Sequence, residues 1–562
     1  MKRAVNDVFD KRRFLGYLSG VELRGYIRDV AIFFKDLISP MFGPYGNWKL
    51  VIDCEGECTL TNCGGVLLEA LKYRAVKSPL ARMFIEEGLL HDKVVGDGVK
   101  YFLLLSSILV EKGIRLLESG LSFHEIISGY EIATKSAVQY LEEISHITFS
   151  RHNLTRDIIH NLLITTTSIN MLSPSTSKYN SGINKLCKYL SSLYISNKIP
   201  HIYEEDVLII RIPSGSSSDT KLLRGILIRS SSSEIEINKS IKNPRIIIIR
   251  KPQRAMRGDK DKLPSLRDME LRHEIVVKTP SDLKKYIQEE EKIWDEYVNL
   301  LRQHEVNAIF SGGKLNIKLS SRLKRKNIIL FENLDEKLLK ALSKISGARL
   351  LSSINDLKSE DYGFIRGIEG NLLGSKKFYM IKPFEDKKLP ITIIIKGPEY
   401  FMKNIEHHIK KLRSIYNMLT EKQDYVPAGG ATEVSLAIRI RENAQKNPTK
   451  QQISIMVYAD AIEELVRILI QNMGLDPLEV LPELRHIHIS LKDGVYYGVN
   501  AFTRKIENMI NNKVVELCEI KKRTLLKTLD FVKTIMRLGI ILFQKQEMEE
   551  VPSKIGRRFI NA

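Results

Sequence analysis

Three short stretches carry residue types that can handle an anion: Gly43-Pro44-Tyr45-Gly46, Thr61-Asn62-Cys63-Gly64 and Gly96-Asp97-Gly98. Glycines at a helix start let the backbone come close to an anion, and the free amides of the first turn then face it. Gly98 leads directly into Val99-Lys100-Tyr101-Phe102-Leu103-Leu104-Leu105, which reads as a buried helix. Asp97, between its two glycines, can hold a hydrated magnesium ion, which takes one or two carboxylates plus phosphate oxygens. The structural alternative is a plain N-cap. Local sequence alone favours that alternative, because short Gly-Asp-Gly runs are weakly specific.

The elements around these turns follow from periodicity. Val21 to Leu37 has apolar residues at helical spacing, with Arg24, Arg28 and Lys35 opposite, and delivers the chain into the first turn. Leu50 to Ile52 and Cys58 to Thr61 read as short strands around Glu55-Gly56. Helices are predicted over 66–71, 79–90, 99–118 and 123–144, then over a region from Arg156 to Asn197 broken at Leu172-Ser173-Pro174-Ser175. From Val207 the pattern changes to strands: 207–210, 225–228 and 245–249. A long helix follows over 282–304, with Thr279 or Ser281 as N-cap. Strands at 307–310 and 327–331 alternate with helices in an α/β pattern. A buried strand at 390–397 and a helix over 399–419 lead to Pro427-Ala428-Gly429-Gly430, a second glycine pair before a helix.

Length and composition bound the class. A chain of 562 residues with 43% hydrophobic and 27% charged residues has room for several folded domains. No apolar run approaches the length of a membrane span, and Met1-Lys2-Arg3-Ala4-Val5-Asn6-Asp7 lacks the apolar core of a signal peptide. The reading is cytoplasmic. Five cysteines are too few for a disulfide framework. Cys54, Cys58 and Cys63 cluster, but no fourth Cys or nearby His completes a zinc site. A net charge of +20 invites a nucleic-acid partner, yet the 87 basic residues are spread among 67 acidic ones. Nucleic acid is therefore the minor reading. The same composition fits a thermophile-type surface.

The order F-G-P-Y-G-N-W-K-L-V-I-D, T-L-T-N-C-G-G-V-L-L-E-A-L and V-V-G-D-G-V-K resembles the equatorial ATP site of group II chaperonins, the thermosome and CCT family. The family pattern is L-G-P-K-G-M-D-K-M-L-V-D, then T-N-D-G, then G-D-G-T-T. Ser214 to Gly225 is similar to the signature that opens the apical domain. Tyr425 to Arg439 closely resembles V-L-P-A-G-G-A-x-E-I-E-L-A-I-R, and Asn472 to Asp476 resembles N-A-G-L-D. The resemblance spans nearly the whole chain in order. It implies an α+β multidomain chaperonin fold: a mostly helical equatorial domain (1–147 and 425–562), a small intermediate domain (148–212 and 376–424), and an α/β apical domain (213–375) with a lid protrusion near 251–270. Nucleotide contacts implied are Gly43, Pro44, Gly46, Asp97, Gly98, Gly429 and Gly430, with Asp97 on magnesium. Asn500 stands where an aspartate is expected near the ribose or base.

The departures bear on the chemistry. In the family, carboxylates come from N-D-G, from G-D-G-T-T and from an intermediate-domain helix. Here the first is Cys63, and a thiol is a poor magnesium ligand. The second survives as Asp97, followed by Val99 and Lys100 in place of threonines. The third aligns with Lys411, and Asp53 and Asp424 do not occupy the matching position. Losing a general base costs about a hundred- to ten-thousand-fold in rate. The expectation is a chaperonin-like subunit that binds or scaffolds unfolded protein in a homo- or hetero-oligomeric ring, with ATP hydrolysis lost or strongly reduced. ATP and magnesium binding are weakened, with Lys100 and Lys411 still able to attract phosphates. The alternative is an active ATP-dependent folding machine.

The resemblance also places a client-contacting helix at Gly313 to Lys326. Leu315, Leu319 and Leu323 form one stripe there, with Lys318 and Arg322 among the surrounding cations. The functional reading is a groove for acidic, apolar client segments through Leu315, Lys318, Leu319 and Arg322. The plain reading is a solvated basic face.

Overall fold

The computed structural model describes residues 14–52, 56, 58–72, 78–151, 155–167, 181–196, 201–213, 220–229, 241–250, 280–315, 317–352, 357–358, 360–373, 376–384 and 389–544. The chain divides into two compact units, Met1–Leu172 with Lys410–Ala562, and Ser173–Ile409.

The first unit is mostly helical. The helix Val99–Glu118 lies at its centre, because Phe102 to Val110 is an unbroken buried run. Such a helix is apolar on every side and must be surrounded. The helices Gly20–Ile38, Phe123–Arg151, Gln451–Asn472 and Cys518–Met536 all pack on it. Phe34 stacks on Phe84 at 4.7 Å, and Phe84 meets the edge of Phe531 at 4.7 Å. Short antiparallel pairs decorate the bundle: Lys49–Ile52 with Cys58–Thr61, Tyr425–Pro427 with Val515–Leu517, and Tyr497–Asn500 with Lys505–Asn508.

The second unit is α/β. Strands Ile329–Phe331, Ala308–Ser311 and Arg245–Ile249 run parallel in that order, continuing to Leu350–Leu351, with Gly363–Phe364 antiparallel to Arg245–Ile249. Ile246 to Ile249 are all fully buried. Ile247 and Ile249 face a core holding Trp294, Leu319 and Leu323, while Ile246 and Ile248 face one holding Leu339, Leu342 and Ile345. A strand covered by helices on both faces reads as a continuous apolar run. An antiparallel sheet, Ile226–Arg229, Lys376–Lys382, Gly367–Leu373 and Ile241–Lys242, and a smaller mixed one complete the unit.

Several boundaries differ from periodicity. The strand expected from Gly225 starts at Ile226, because Gly225 takes φ +111° between Lys221–Arg224 and Ile226–Arg229. The helix from Phe123 continues to Arg151, and the long helix Pro280–Gln303 contains Ser281, so Ser281 does not cap it. Thr279, Leu172 to Ser175, Ser214 to Asp219, the proposed lid near 251–270 and Asp53 lie outside the described residues.

Candidate functional site

Gly96 and Gly98 both adopt φ +82°, the first ending helix Pro79–Val95 and the second opening helix Val99–Glu118. A side chain at either would be strained. A Cβ would also meet Ser414 Cβ at 2.6 Å from Gly96, and Thr524 Oγ1 at 2.7 Å from Gly98. The turn therefore holds Asp97 in one place. Asp97 Oδ1 accepts the Gly98 amide at 2.6 Å and pairs with Lys411 Nζ at 2.7 Å. Asp97 is not the N-cap; Gly98 is, and no side chain caps that helix start.

Two of the other motifs reach this turn. Lys100 Nζ donates to the Met41 carbonyl at 2.9 Å, reaching the Gly43-Pro44-Tyr45-Gly46 loop. That loop closes through Gly46 N to Gly43 O at 3.2 Å. Asn472 Nδ2 pins it by donating to the carbonyls of Ser39 and Phe42 at 2.7 and 2.8 Å. Cys63 is buried and donates its amide to Thr61 Oγ1 at 2.9 Å, just before helix Gly64–Lys72. A Cβ on Gly64 would stand 3.1 Å from both Lys100 Cγ and Val99 Cγ1. Gly429 and Gly430, at φ +69° and +82°, precede helix Ala431–Gln445, again without a side-chain cap. Gly43 and Gly430 both lie against Leu469.

Asn500 behaves differently. Its Nδ2 donates to Glu507 Oε2 at 2.7 Å and its Oδ1 accepts the Phe502 amide at 2.9 Å, so the side chain braces its own hairpin.

The electrostatics are those of a cationic corner. Burial pushes the Lys100 ammonium down to about 8, with the Lys411 charge adding to the effect and Cys63 and Asp97 opposing it. Burial also lowers Lys411, but Asp97 and Cys63 more than offset this and its proton is held more tightly than usual. His91 is pushed down to about 4 by burial. It is neutral at physiological pH and lies 3.2 Å from Thr524 Oγ1.

The donor set does not fit magnesium. The ion prefers hard oxygen ligands in octahedral array, whereas this corner offers one carboxylate already holding an ammonium, a thiol, and a second ammonium. Among the described residues no group of three or more His, Cys, Asp or Glu side chains converges as a metal site. Two ammoniums and the uncapped start of helix Val99–Glu118 would suit an anion better.

A buried charge cluster nearby escaped the sequence reading. Lys521 pairs with Glu433 and, at 2.7 Å, with Glu516, and sits 5.3 Å from the Tyr101 ring centre. Its only sequence signal is a lysine on the inward face of helix Cys518–Met536.

In the second unit, the client-contact assignment needs correction. Leu315, Leu319 and Leu323 are buried in the core with Ile247, Trp294 and Leu330, so Leu315 and Leu319 present nothing to a client. Helix Ile317–Arg325 spends its apolar stripe on its own sheet. Lys318 is exposed, and Ile317 beside it is 83% exposed. Arg322 Nε donates to Asp295 Oδ1 at 3.0 Å, an acid supplied by helix Pro280–Gln303.

The chain matches the TCP-1/cpn60 chaperonin family over residues 34–546. It belongs to that family. Its relatives are thermosome subunits, which are group II chaperonins. The chain is 26% identical over 509 residues to a thermosome subunit of Methanothermococcus thermolithotrophicus, covering 90% of this chain and 89% of that one. It is 27% identical over 521 residues to thermosome subunit gamma of Saccharolobus shibatae, covering 91% of each. It is 25% identical over 518 residues to thermosome subunit beta of Thermoplasma acidophilum, covering 92% and 91%. The chaperonin's helical unit and α/β unit agree with the multidomain α+β fold expected. Among the described residues no helix is long and apolar enough to cross a membrane.

Proposed function

We propose that this chaperonin subunit holds or scaffolds unfolded protein within a ring, in the cytoplasm, with ATP hydrolysis lost or strongly reduced. The observation that carries the reading is the Lys411–Asp97 ion pair. Phosphoryl transfer to water needs free carboxylates to hold magnesium and to position or deprotonate the water. Here the remaining aspartate neutralises a lysine instead. Gly43, Pro44, Gly46, Gly98, Gly429 and Gly430 would still shape a nucleotide pocket, and Asn500 would lie at its rim. The five-segment division into equatorial, intermediate and apical parts belongs to the same reading.

Steady-state ATP hydrolysis by the purified protein tests it. Turnover at background level, unchanged by magnesium, is expected. Lys411→Asp alone should leave the rate low, because Cys63, Val99 and Lys100 remain. Turnover like that of an ordinary group II chaperonin would establish the active folding machine instead. A very large particle on sizing would support the ring.

With the leucines removed from the contact set, Ile317, Lys318 and the exposed edge of Arg322 are the proposed client face. Reversing charge at Lys318 and Arg322 should leave the fold intact and weaken capture of an acidic unfolded client several-fold. Unchanged capture would remove this helix from the client site.

A further inference from the structure

The Asp97 corner holds two ammoniums, of which only Lys411 pairs with its carboxylate. Lys100 and Lys411 both lie beside this carboxylate, and the Lys411 charge adds to the burial that lowers Lys100. An ammonium has three N–H donors. Lys100 donates one hydrogen bond among the described residues, to the Met41 carbonyl at 2.9 Å. The ammonium is part-buried, so its other two donors remain open to solvent or to a ligand.

Three further features orient that demand. Gly98 and Gly430 start helices whose first amides have no side-chain cap. Gly64 starts a third helix against the stem of Lys100. The starts at Gly98 and Gly430 present partial positive charge and amides without a side-chain cap, which suit phosphate oxygens. A divalent cation, by contrast, would enter beside two ammoniums and have to displace one of them from Asp97.

We propose that this corner binds a polyphosphate chain without a metal ion, Lys100 and Lys411 supplying the positive charge that magnesium would otherwise bring. The proposal rests on the reading of the corner as a nucleotide site and names the ionic form it takes. The ligand chemistry is an uncomplexed triphosphate, either that of a nucleotide or an inorganic chain. Binding requires no bond making and leaves the ligand unchanged.

Isothermal titration of the full-length protein tests it with ATP, inorganic tripolyphosphate and adenosine, each in chelator and in excess magnesium. ATP should bind in chelator, with magnesium changing its affinity less than about threefold or weakening it. Tripolyphosphate binding alongside ATP would assign recognition to the phosphate chain. ATP binding without tripolyphosphate binding would restrict the site to nucleotides within the same metal-free mode. Lys411→Met and Lys100→Met should each lose about tenfold in chelator, and Lys411→Asp should make binding magnesium-dependent. The unchanged circular dichroism of either methionine variant would show that the loss is local. A requirement for magnesium in the native protein, or no binding of ATP and tripolyphosphate in either condition, overturns the proposal. Hydrolysis measured on the same samples separates the two readings: turnover refutes the lost ATPase, while magnesium-dependent binding without turnover refutes only the metal-free mode.

Discussion

Two charged clusters in the helical unit are built from the same residue types with opposite balance. At the Asp97 turn, two lysines flank one carboxylate, and only Lys411 pairs with it. At Lys521, two carboxylates, Glu433 and Glu516, share one lysine, with side chains of Lys521 and Glu433 under a tenth exposed. The second cluster is answered from within. Glu516 is pushed up by burial while Lys521 holds it down, and Lys521 is held well above its ordinary value by its two acids. In the first cluster Lys100 donates to the Met41 carbonyl rather than to a carboxylate, beside the uncapped start of helix Val99–Glu118. Internal pairing suits a structural cluster between helices, whereas cations beside uncapped backbone amides would suit an anion.

The contrast breaks first at Lys521. Lys521→Met would strand Glu433 in a buried setting, and removing one partner of a buried pair costs about 3–5 kcal/mol. Chemical denaturation should show that loss. A change under about 1 kcal/mol would mean the cluster is solvated and the comparison empty.

Lys100→Met should do the opposite. The folded protein holds Lys100 near 8, below the ordinary 10.5. Between those values the unfolded chain binds more protons, so stability rises with pH across that window, and below it the cost of burying the ammonium is fully present. Deleting the charge should therefore gain on the order of 1 kcal/mol at pH 7, a gain that shrinks as pH climbs from about 8 to 10.5. A destabilised variant with no such pH dependence would place Lys100 with the structural lysines.

How much of this was legible before the fold was known depends on where the determining forces lie. Gly43, Gly96, Gly98, Gly429 and Gly430 were readable because left-handed backbone is a local property that glycine serves. Helix Val99–Glu118 was readable end to end from its apolar run. The pairing of Asp97 with Lys411 is between residues far apart in the chain, and only the family resemblance set them side by side. Glu433 and Lys521 are 88 residues apart with no pattern linking them. The stripe of Leu315, Leu319 and Leu323 was seen correctly but assigned to the wrong neighbour, since periodicity shows that a face is apolar and not what covers it. Asn500 was expected near the ribose or base of a nucleotide; its side-chain amide is committed to Glu507 and Phe502.

The central claim is that Lys411 has taken the place of catalysis at Asp97. Single-turnover phosphate release from ATP-saturated protein, followed across a magnesium titration, reads this directly. Release no faster than in protein-free buffer is expected at every magnesium concentration. A magnesium-dependent burst of phosphate, one per active chain, would contradict it.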